Sequence, residues 1–180
     1  MPFQALSFCR NRYKQLYKPM NKSTELANRL EEVLFNGRWI AHTNIQEQLN
    51  KINWEQAIRK IGEHNSIAEL TFHINYYVEG LLNVFVGGDL EIRDQYSFDM
   101  TPINSEVDWT NLVSSFLSNS LSIVEKFANF PNEKWAEPFV KEEYGSYARN
   151  IEGLIEHSYY HFGQISLLLR LFNTASDNNR

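Results

Sequence analysis

Two histidines four residues apart, His157 and His161, lie in an apolar stretch near the end of the chain, "GLIEHSYYHFGQISLLLRLF". Residues at positions i and i+4 of an α-helix lie on the same face of the helix. On a helical wheel the pair shares its face with Leu154, Ile165 and Leu168, whereas the charged residues of the stretch fall on the opposite side. The pattern therefore predicts that both imidazoles point into the protein core.

A third histidine, His73, belongs to another long apolar segment, "SIAELTFHINYYVEGLLNVFVGG", and lies near the edge of its apolar arc. We expect it to meet the pair inside the protein. A buried imidazole costs free energy unless its nitrogens are paired, so three together need a common partner. A shared divalent metal ion would satisfy them, and three protein ligands would leave one coordination position for water or substrate. The alternative is three hydrogen-bonded core histidines.

The remaining candidates for chemistry each have a structural alternative. Glu69 precedes His73 by one turn and is the best carboxylate candidate for a proton acceptor, but it also fits a capping box with Ser66. Gln164 could bond a ligand or a coordinated water, or it could be a polar residue at the helix boundary. Arg149 is a candidate for an anionic substrate group, although a surface ion pair is the simpler role. No catalytic residue is assigned beyond these weak candidates.

Aromatic and histidine side chains elsewhere allow two interpretations. Tyr76, Tyr77 and Tyr160 could line the mouth of the site, or they could be core residues with a solvated hydroxyl. His42 and His64 fall in predicted connections, and we expect them to be solvated loop residues. We therefore do not count them as ligands.

Other kinds of site are poorly supported by the sequence. It has no P-loop and no GxGxxG motif, and its single cysteine, Cys9, excludes an intramolecular disulfide and a CxxC zinc site. A di-iron carboxylate bundle needs ExxH motifs, whereas Glu156 directly precedes His157 and points away from it. The cysteine usage fits a reducing compartment, and we expect a cytoplasmic location.

The elements that must position these histidines are helical. Apolar periodicity and capping signals predict helices at about 23–35, after Asn53, from Ser66 to the glycine pair 87–88, at about 109–130 and at about 146–172. A loop of roughly twenty residues precedes Asp108, which is longer than compact domains usually contain without a purpose. No segment shows convincing strand alternation. We predict an all-α, four-helix bundle with the two long loops near one end.

The composition and charge distribution of the chain limit its possible domain organisation. Its 180 residues suffice for one domain, and 43% of them are hydrophobic, but no apolar run reaches the roughly eighteen residues of a membrane span. The net charge of −5 is uneven, because the first 22 residues carry five basic side chains and no acid. The acidic remainder argues against non-specific nucleic-acid binding. We predict a basic, dispensable extension at 1–19 (a short targeting peptide is the alternative), a bundle at 20–173 and a polar tail at 174–180.

The histidine pattern and its context resemble a known family. His73 on the second long helix, with "EHSYYHFGQI" on the last, is similar to the DinB-like superfamily, also called the YfiT-like metal-binding bundles. The segments "VGGDLEIRDQYSFD" and "YGSYARNIEGLIEHSYYHFGQI" resemble one uncharacterised bacterial branch of it. The resemblance covers about residues 20–172 and leaves the basic extension without a counterpart.

The resemblance implies a four-helix bundle with long crossover connections. It implies one divalent metal ion, zinc or nickel, held by His73, His157 and His161, and a homodimer. Characterised relatives include metal-dependent transferases and isomerases that use low-molecular-weight thiols. Two hypotheses follow: a metal-dependent thiol S-transferase or small hydrolase, or a non-catalytic, metal-stabilised bundle that acts in binding or oligomerisation.

Overall fold

Helices are the regular structure of this chain, as predicted. The computed structural model describes residues 21–177, with side chains through residue 173, and this part of the chain contains no β-strand beyond an isolated bridge between Pro138 and Ser146. The α-helices are α1 (Lys22–Glu31), α2 (Ile45–Leu49), α3 (Trp54–Ile58), α4 (Ile67–Phe85), α5 (Glu106–Ala128) and α6 (Tyr147–Asp177). A π-helical turn (Glu32–Asn36) continues α1, and three 3-10 turns occur at Asp94–Tyr96, Asn132–Ala136 and Glu142–Tyr144. The prediction of an all-α protein is confirmed.

Local capping signals set most of the helix starts. Asn53 caps α3 and Ser66 caps α4, each in a reciprocal capping box, with Gln56 and Glu69 respectively. After Phe85 the chain turns at Gly87, whose φ of +94° is a conformation that side-chain-bearing residues rarely adopt. The predicted helix after Asn53 and the predicted bounds of the helix opened by Ser66 are therefore confirmed.

Other bounds differ from the predictions. The short helix α2 was not predicted, because five residues are too few to show a helical period, although Ile45 and Leu49 are both buried. Helix α5 begins at Glu106, where Ser105 provides the cap, and α6 continues to Asp177 beyond the predicted end at residue 172. The predicted extension 1–19 and residues 178–180 of the predicted tail lie outside the described residues.

Side-chain contacts show how the long helices run. Asn75 of α4 bonds to Asn119 of α5, and ten residues later Phe85 packs on Phe127, so α4 and α5 are parallel. Phe85 also packs against Tyr147 at the start of α6, whereas His73 meets the middle of α6, so α6 is antiparallel to α4. Ser23, at the start of α1, bonds to the carbonyl of Phe130 just after α5, so α1 starts where α5 ends.

Because α4 and α5 are parallel, the chain between them must return along the length of a helix. The connection 86–105 does so in contact with α4: Asn83 donates to the carbonyl of Asp89, and the Tyr76 hydroxyl bonds the backbone of Arg93. Ile92 lies so close to Gly80 that a β-carbon there would come within 2.3 Å of it. This long loop therefore spans the helix instead of lying at one end, which corrects the predicted loop placement.

The core lies between these helices and is apolar. Its largest fully buried side chains include Phe116, Phe127, Leu30 and Ile74. Burying a side chain of this size stabilises the fold by about 1.5–3 kcal/mol relative to leaving it exposed. The packing of α4 against α6 holds the histidines of both helices together.

Candidate metal centre

The three histidines predicted as ligands converge on one point between α4 and α6. His157 and His161 extend from the same face of α6, and His73 extends from α4. One ring nitrogen from each lies within 4.8 Å of the other two. The Nε2 atom of His157 is 3.1 Å from Nε2 of His73 and 2.9 Å from Nε2 of His161. His73 and His161 are buried and His157 is half-buried.

The opposite nitrogens of two rings are held by oxygen acceptors. Nδ1 of His73 lies 3.2 Å from the carbonyl oxygen of Ser97, and Nδ1 of His161 lies 2.7 Å from Oε1 of Gln164. A carbonyl oxygen can only accept, so Nδ1 must carry the proton in each ring. In a neutral imidazole the Nε2 atom then presents a lone pair, which is the form that binds a metal ion.

With Nδ1 protonated in His73 and His161, the three converging Nε2 atoms have too few protons to hydrogen-bond to one another. If His73 and His161 both present Nε2 lone pairs, only His157 can donate between them, and it has at most one Nε2 proton for two contacts. At least one of the two short nitrogen–nitrogen contacts is therefore without a proton. A single cation at the centre would satisfy all three lone pairs. Tetrahedral zinc with bonds of 2.0–2.1 Å would place its ligand nitrogens about 3.3 Å apart, close to the separations of 3.1 and 2.9 Å from Nε2 of His157 to the other two Nε2 atoms.

Burial also keeps the imidazoles neutral. It lowers the pKa of all three rings, and for His157, where the neighbouring His161 and His73 act in the same direction, the pKa falls to about 4. Metal ligands must be deprotonated, so the cluster is in its ligand form at neutral pH.

Aromatic rings enclose the cluster on the side of the long loop. Phe98 stacks on the His73 ring at a centroid distance of 4.0 Å, and Tyr77 meets the rings of His73 and His157 edge-on at 5.0 and 4.9 Å. The Tyr77 hydroxyl donates to Oδ1 of Asp94 at 2.8 Å. Burial, together with this hydrogen bond, raises the pKa of Tyr77, so its phenol stays protonated at neutral pH.

The other tyrosine candidates lie at different positions. Tyr76 directs its hydroxyl to the backbone of Arg93 in the long loop. Tyr160 is 64% exposed, and its ring lies 4.8 Å from that of His161. Of the three candidates, Tyr77 alone lies against two of the clustered histidines.

The two weak catalytic candidates have different positions. Glu69 accepts a hydrogen bond from the backbone of Ser66 and forms an ion pair with Lys60 at 2.7 Å, so its carboxylate serves the start of α4. It is not part of the histidine cluster. Gln164 does reach the site, where it orients the ring of His161. Gln164 thus contacts a ring of the cluster, whereas the Glu69 carboxylate is engaged with Ser66 and Lys60.

Charged and histidine candidates outside the cluster lie at the surface. Arg149 forms an exposed ion pair with Glu156 at 3.2 Å, which is the simpler of its two predicted roles. His42 and His64 are both exposed, in agreement with their interpretation as loop residues.

Sequence reasoning missed the contribution of the long loop. Ser97 orients His73, Phe98 covers it and Asp94 holds Tyr77, yet none of the three was a candidate. The one available signal was the length of the loop, because loops of that size in compact domains are usually functional. Residue spacing carries no information about where such a loop returns.

Comparison with other proteins does not place the chain in a family. No family model matches it, and neither does any curated protein or solved structure to which it was compared. In the described part of the chain, none of the helices has the length and apolar character needed to cross a membrane. The geometry of the histidine cluster is therefore the main evidence on function.

Proposed function

We propose that the protein binds one divalent metal ion through the Nε2 atoms of His73, His157 and His161. The observation that supports this proposal is that the three Nε2 atoms converge, while His73 and His161 each use Nδ1 to donate a hydrogen bond to an oxygen atom. Zinc and nickel are the ions we expect, since imidazole suits both.

We further propose that the chain is a metal-dependent enzyme of the DinB-like superfamily, with α1, α4, α5 and α6 as its four-helix bundle and, as the resemblance implies, a homodimer. The parallel arrangement of α4 and α5, with a long return loop, supports a crossover topology. Thiol S-transfer and the hydrolysis of a small molecule are the reactions we favour. When bound, the ion would lower the pKa of a thiol or water at its open position, which supplies the nucleophile.

The residues around the cluster have distinct roles in this proposal. Ser97 and Gln164 hold two ligand rings in the tautomer that presents Nε2, and Phe98 restricts water on the His73 side. The Tyr77 hydroxyl, with its proton directed at Asp94, is a protonated group beside the cluster that could donate to an incoming substrate. Asp94 is exposed and retains a second carboxylate oxygen that could accept a proton.

A metal-stabilised bundle without catalysis is the second candidate function. It is favoured by the engagement of Glu69 with Ser66 and Lys60. Asp94, which lines the same cavity as His157, already accepts a hydrogen bond from Tyr77. In that case the ion would contribute folding free energy, and no substrate would reach it.

Metal content tests the first proposal directly. Protein purified without chelator and offered zinc, nickel and manganese should retain about one ion per chain by elemental analysis, and His161→Ala should retain none. The matched control is His42→Ala, because His42 is exposed and does not belong to the cluster. If the His161 variant retained as much metal as the parent, the proposed metal site would be wrong. A screen of the loaded protein with thiols and electrophiles then separates the catalytic candidate from the structural one.

A further inference from the structure

A cavity of about 450 Å³ opens directly beside the histidine cluster. His157 lines it, together with Tyr77 and Asp94, so one part of its wall is continuous with the candidate metal centre. A second cavity of about 500 Å³ borders Gln164 and Leu168 but none of the three histidines. Of these two cavities, the one beside His157 is the one from which a bound molecule could reach the ion.

Most of the remaining wall of this cavity is apolar, with Tyr144 and Asn150 as polar members, and the cavity follows α6 toward its start. Leu81, Leu90, Ile92, Phe139 and Leu154 contribute hydrocarbon walls. The α6 residues that line it run from Asn150 to His157, a span of about 10 Å at 1.5 Å per residue. The volume lies within the usual range for small-molecule sites, which are mostly apolar with a few polar groups that fix orientation.

Charge further restricts the occupant. Among the described residues that line the cavity, Asp94 is the one that carries a formal charge at neutral pH, and the lining contains no lysine or arginine. A carboxylate or phosphate placed against the hydrocarbon walls would lose its hydration without gaining a cationic partner. A neutral apolar body would gain from burial along the same walls.

We propose that this cavity binds the substrate as a neutral alkyl or aryl body of up to about 10 Å, with one metal-binding head directed past His157. The position of the metal-binding head group depends on the proposed metal centre. The preference for a neutral apolar body depends only on the residues that line the cavity. The substrate class is therefore an apolar small molecule with a single thiol or oxygen head group, and polyanionic thiols are excluded.

Gly153 offers a way to close the cavity without disturbing the protein. It lines the cavity one turn before His157, and a β-carbon added there meets no atom within 4 Å. A leucine at this position would extend into the cavity. Gly163, on the same helix, also meets nothing within 4 Å but is exposed and does not line the cavity, so Gly163→Leu is a matched control. Both changes replace glycine by a better helix former, so both variants should fold.

Cobalt-loaded protein provides a readout that does not depend on turnover, because a bound thiolate produces a charge-transfer absorption. We expect benzyl mercaptan to bind the parent and Gly163→Leu equally, Gly153→Leu at least tenfold more weakly, and Gly153→Ala in between. We expect glutathione, which carries two carboxylates, to bind the parent at least tenfold more weakly than benzyl mercaptan. Equal affinity of parent and Gly153→Leu, or equal affinity for the two thiols, would overturn the inference.

A binding experiment on the metal-free protein distinguishes a failure of this inference from a failure of the proposed function. Benzyl alcohol should perturb the amide NMR signals of residues around Gly153 in the metal-free parent and in Gly163→Leu, but not in Gly153→Leu. If the protein retains no cobalt yet shows this pattern, the metal centre fails and the cavity stands as an apolar ligand site. If cobalt binds but neither probe distinguishes the two glycine variants, the metal centre stands and the cavity assignment fails.

Discussion

Helices α4 and α6 bring aromatic rings together at two levels, and the two clusters differ in what their polar atoms do. Toward the end of α4, Phe85 packs with Phe127, Phe130, Trp135 and Tyr147. We call this group the aromatic cluster. About twelve residues earlier on α4, roughly 18 Å along the helix, His73 packs with His157 and His161.

In the aromatic cluster, the indole N–H of Trp135 has a hydrogen-bond partner at the start of α1. The Trp135 indole nitrogen donates to the Ser23 hydroxyl at 2.7 Å, and that hydroxyl donates to the carbonyl of Phe130 at 2.6 Å. The histidine cluster instead directs three Nε2 atoms at one another, with too few protons to pair them. The same pair of helices thus supports a stabilising cluster at one level and a cluster suited to chemistry at the other.

The largest effect should come from the aromatic cluster. Phe127 is fully buried, so Phe127→Ala should lower the free energy of unfolding of the metal-free protein by about 3–5 kcal/mol. Urea unfolding measures this, with Leu121→Ala on the same helix as the control, since Leu121 is 54% exposed and should change stability by less than about 0.5 kcal/mol. A variant that folds should still bind one metal ion per chain. Loss of metal binding in a well-folded Phe127 variant would contradict the separation of the two clusters.

The next effect belongs to the histidine cluster. An ion that binds only the folded state stabilises it by about 2.7 kcal/mol at a free concentration one hundred times its Kd. We expect zinc to raise the melting temperature of the parent and of Leu121→Ala, and to leave His73→Ala unchanged. Differential scanning calorimetry with and without chelator measures the shift. An equal zinc-dependent shift in the His73 variant would mean that zinc acts elsewhere on the protein.

A smaller effect is expected from the oxygen that orients His161. Loss of such a partner typically lowers metal affinity 10–100-fold, so Gln164→Leu should bind zinc more weakly by that factor, while the chain keeps its fold. Gln164→Glu retains an acceptor oxygen and should recover most of the affinity. Competition with a chromophoric chelator gives both values. Equal weakening by the two substitutions would show that the hydrogen bond is not the cause.

The smallest effect concerns pH and the metal-free protein. Because the folded-state pKa of His157 is lowered to about 4 from an ordinary value of 6.5, the unfolded chain binds more protons between pH 6.5 and pH 4. The contribution of His157 to stability should therefore be present above pH 6.5 and be lost as the pH falls toward 4. Between pH 7 and pH 5, the free energy of unfolding measured with urea should fall less in His157→Ala than in the parent. In the control His42→Ala it should fall as much as in the parent. The idea fails if the parent and the His157 variant lose the same stability.

Prediction from the sequence succeeded where the determinants are local. The capping boxes at Asn53 and Ser66 and the apolar face shared by His157 and His161 follow from spacings of three and four residues. It was incomplete where local signals are weak, as in the five-residue helix α2. For Glu69 two local interpretations competed, and the structure adds the ion pair with Lys60, which joins α4 to the chain before it.

The sequence by itself determined that this protein is helical and that two of its histidines lie on one buried helix face, because a helix relates nearby residues by a fixed geometry. Only the tertiary structure decided that the Nε2 atom of His73 meets that pair and that Ser97 and Phe98 close over it. These contacts depend on the antiparallel packing of α4 on α6 and on the return of the loop 86–105 along α4. Both arise from contacts between residues far apart in the chain, which no local spacing encodes.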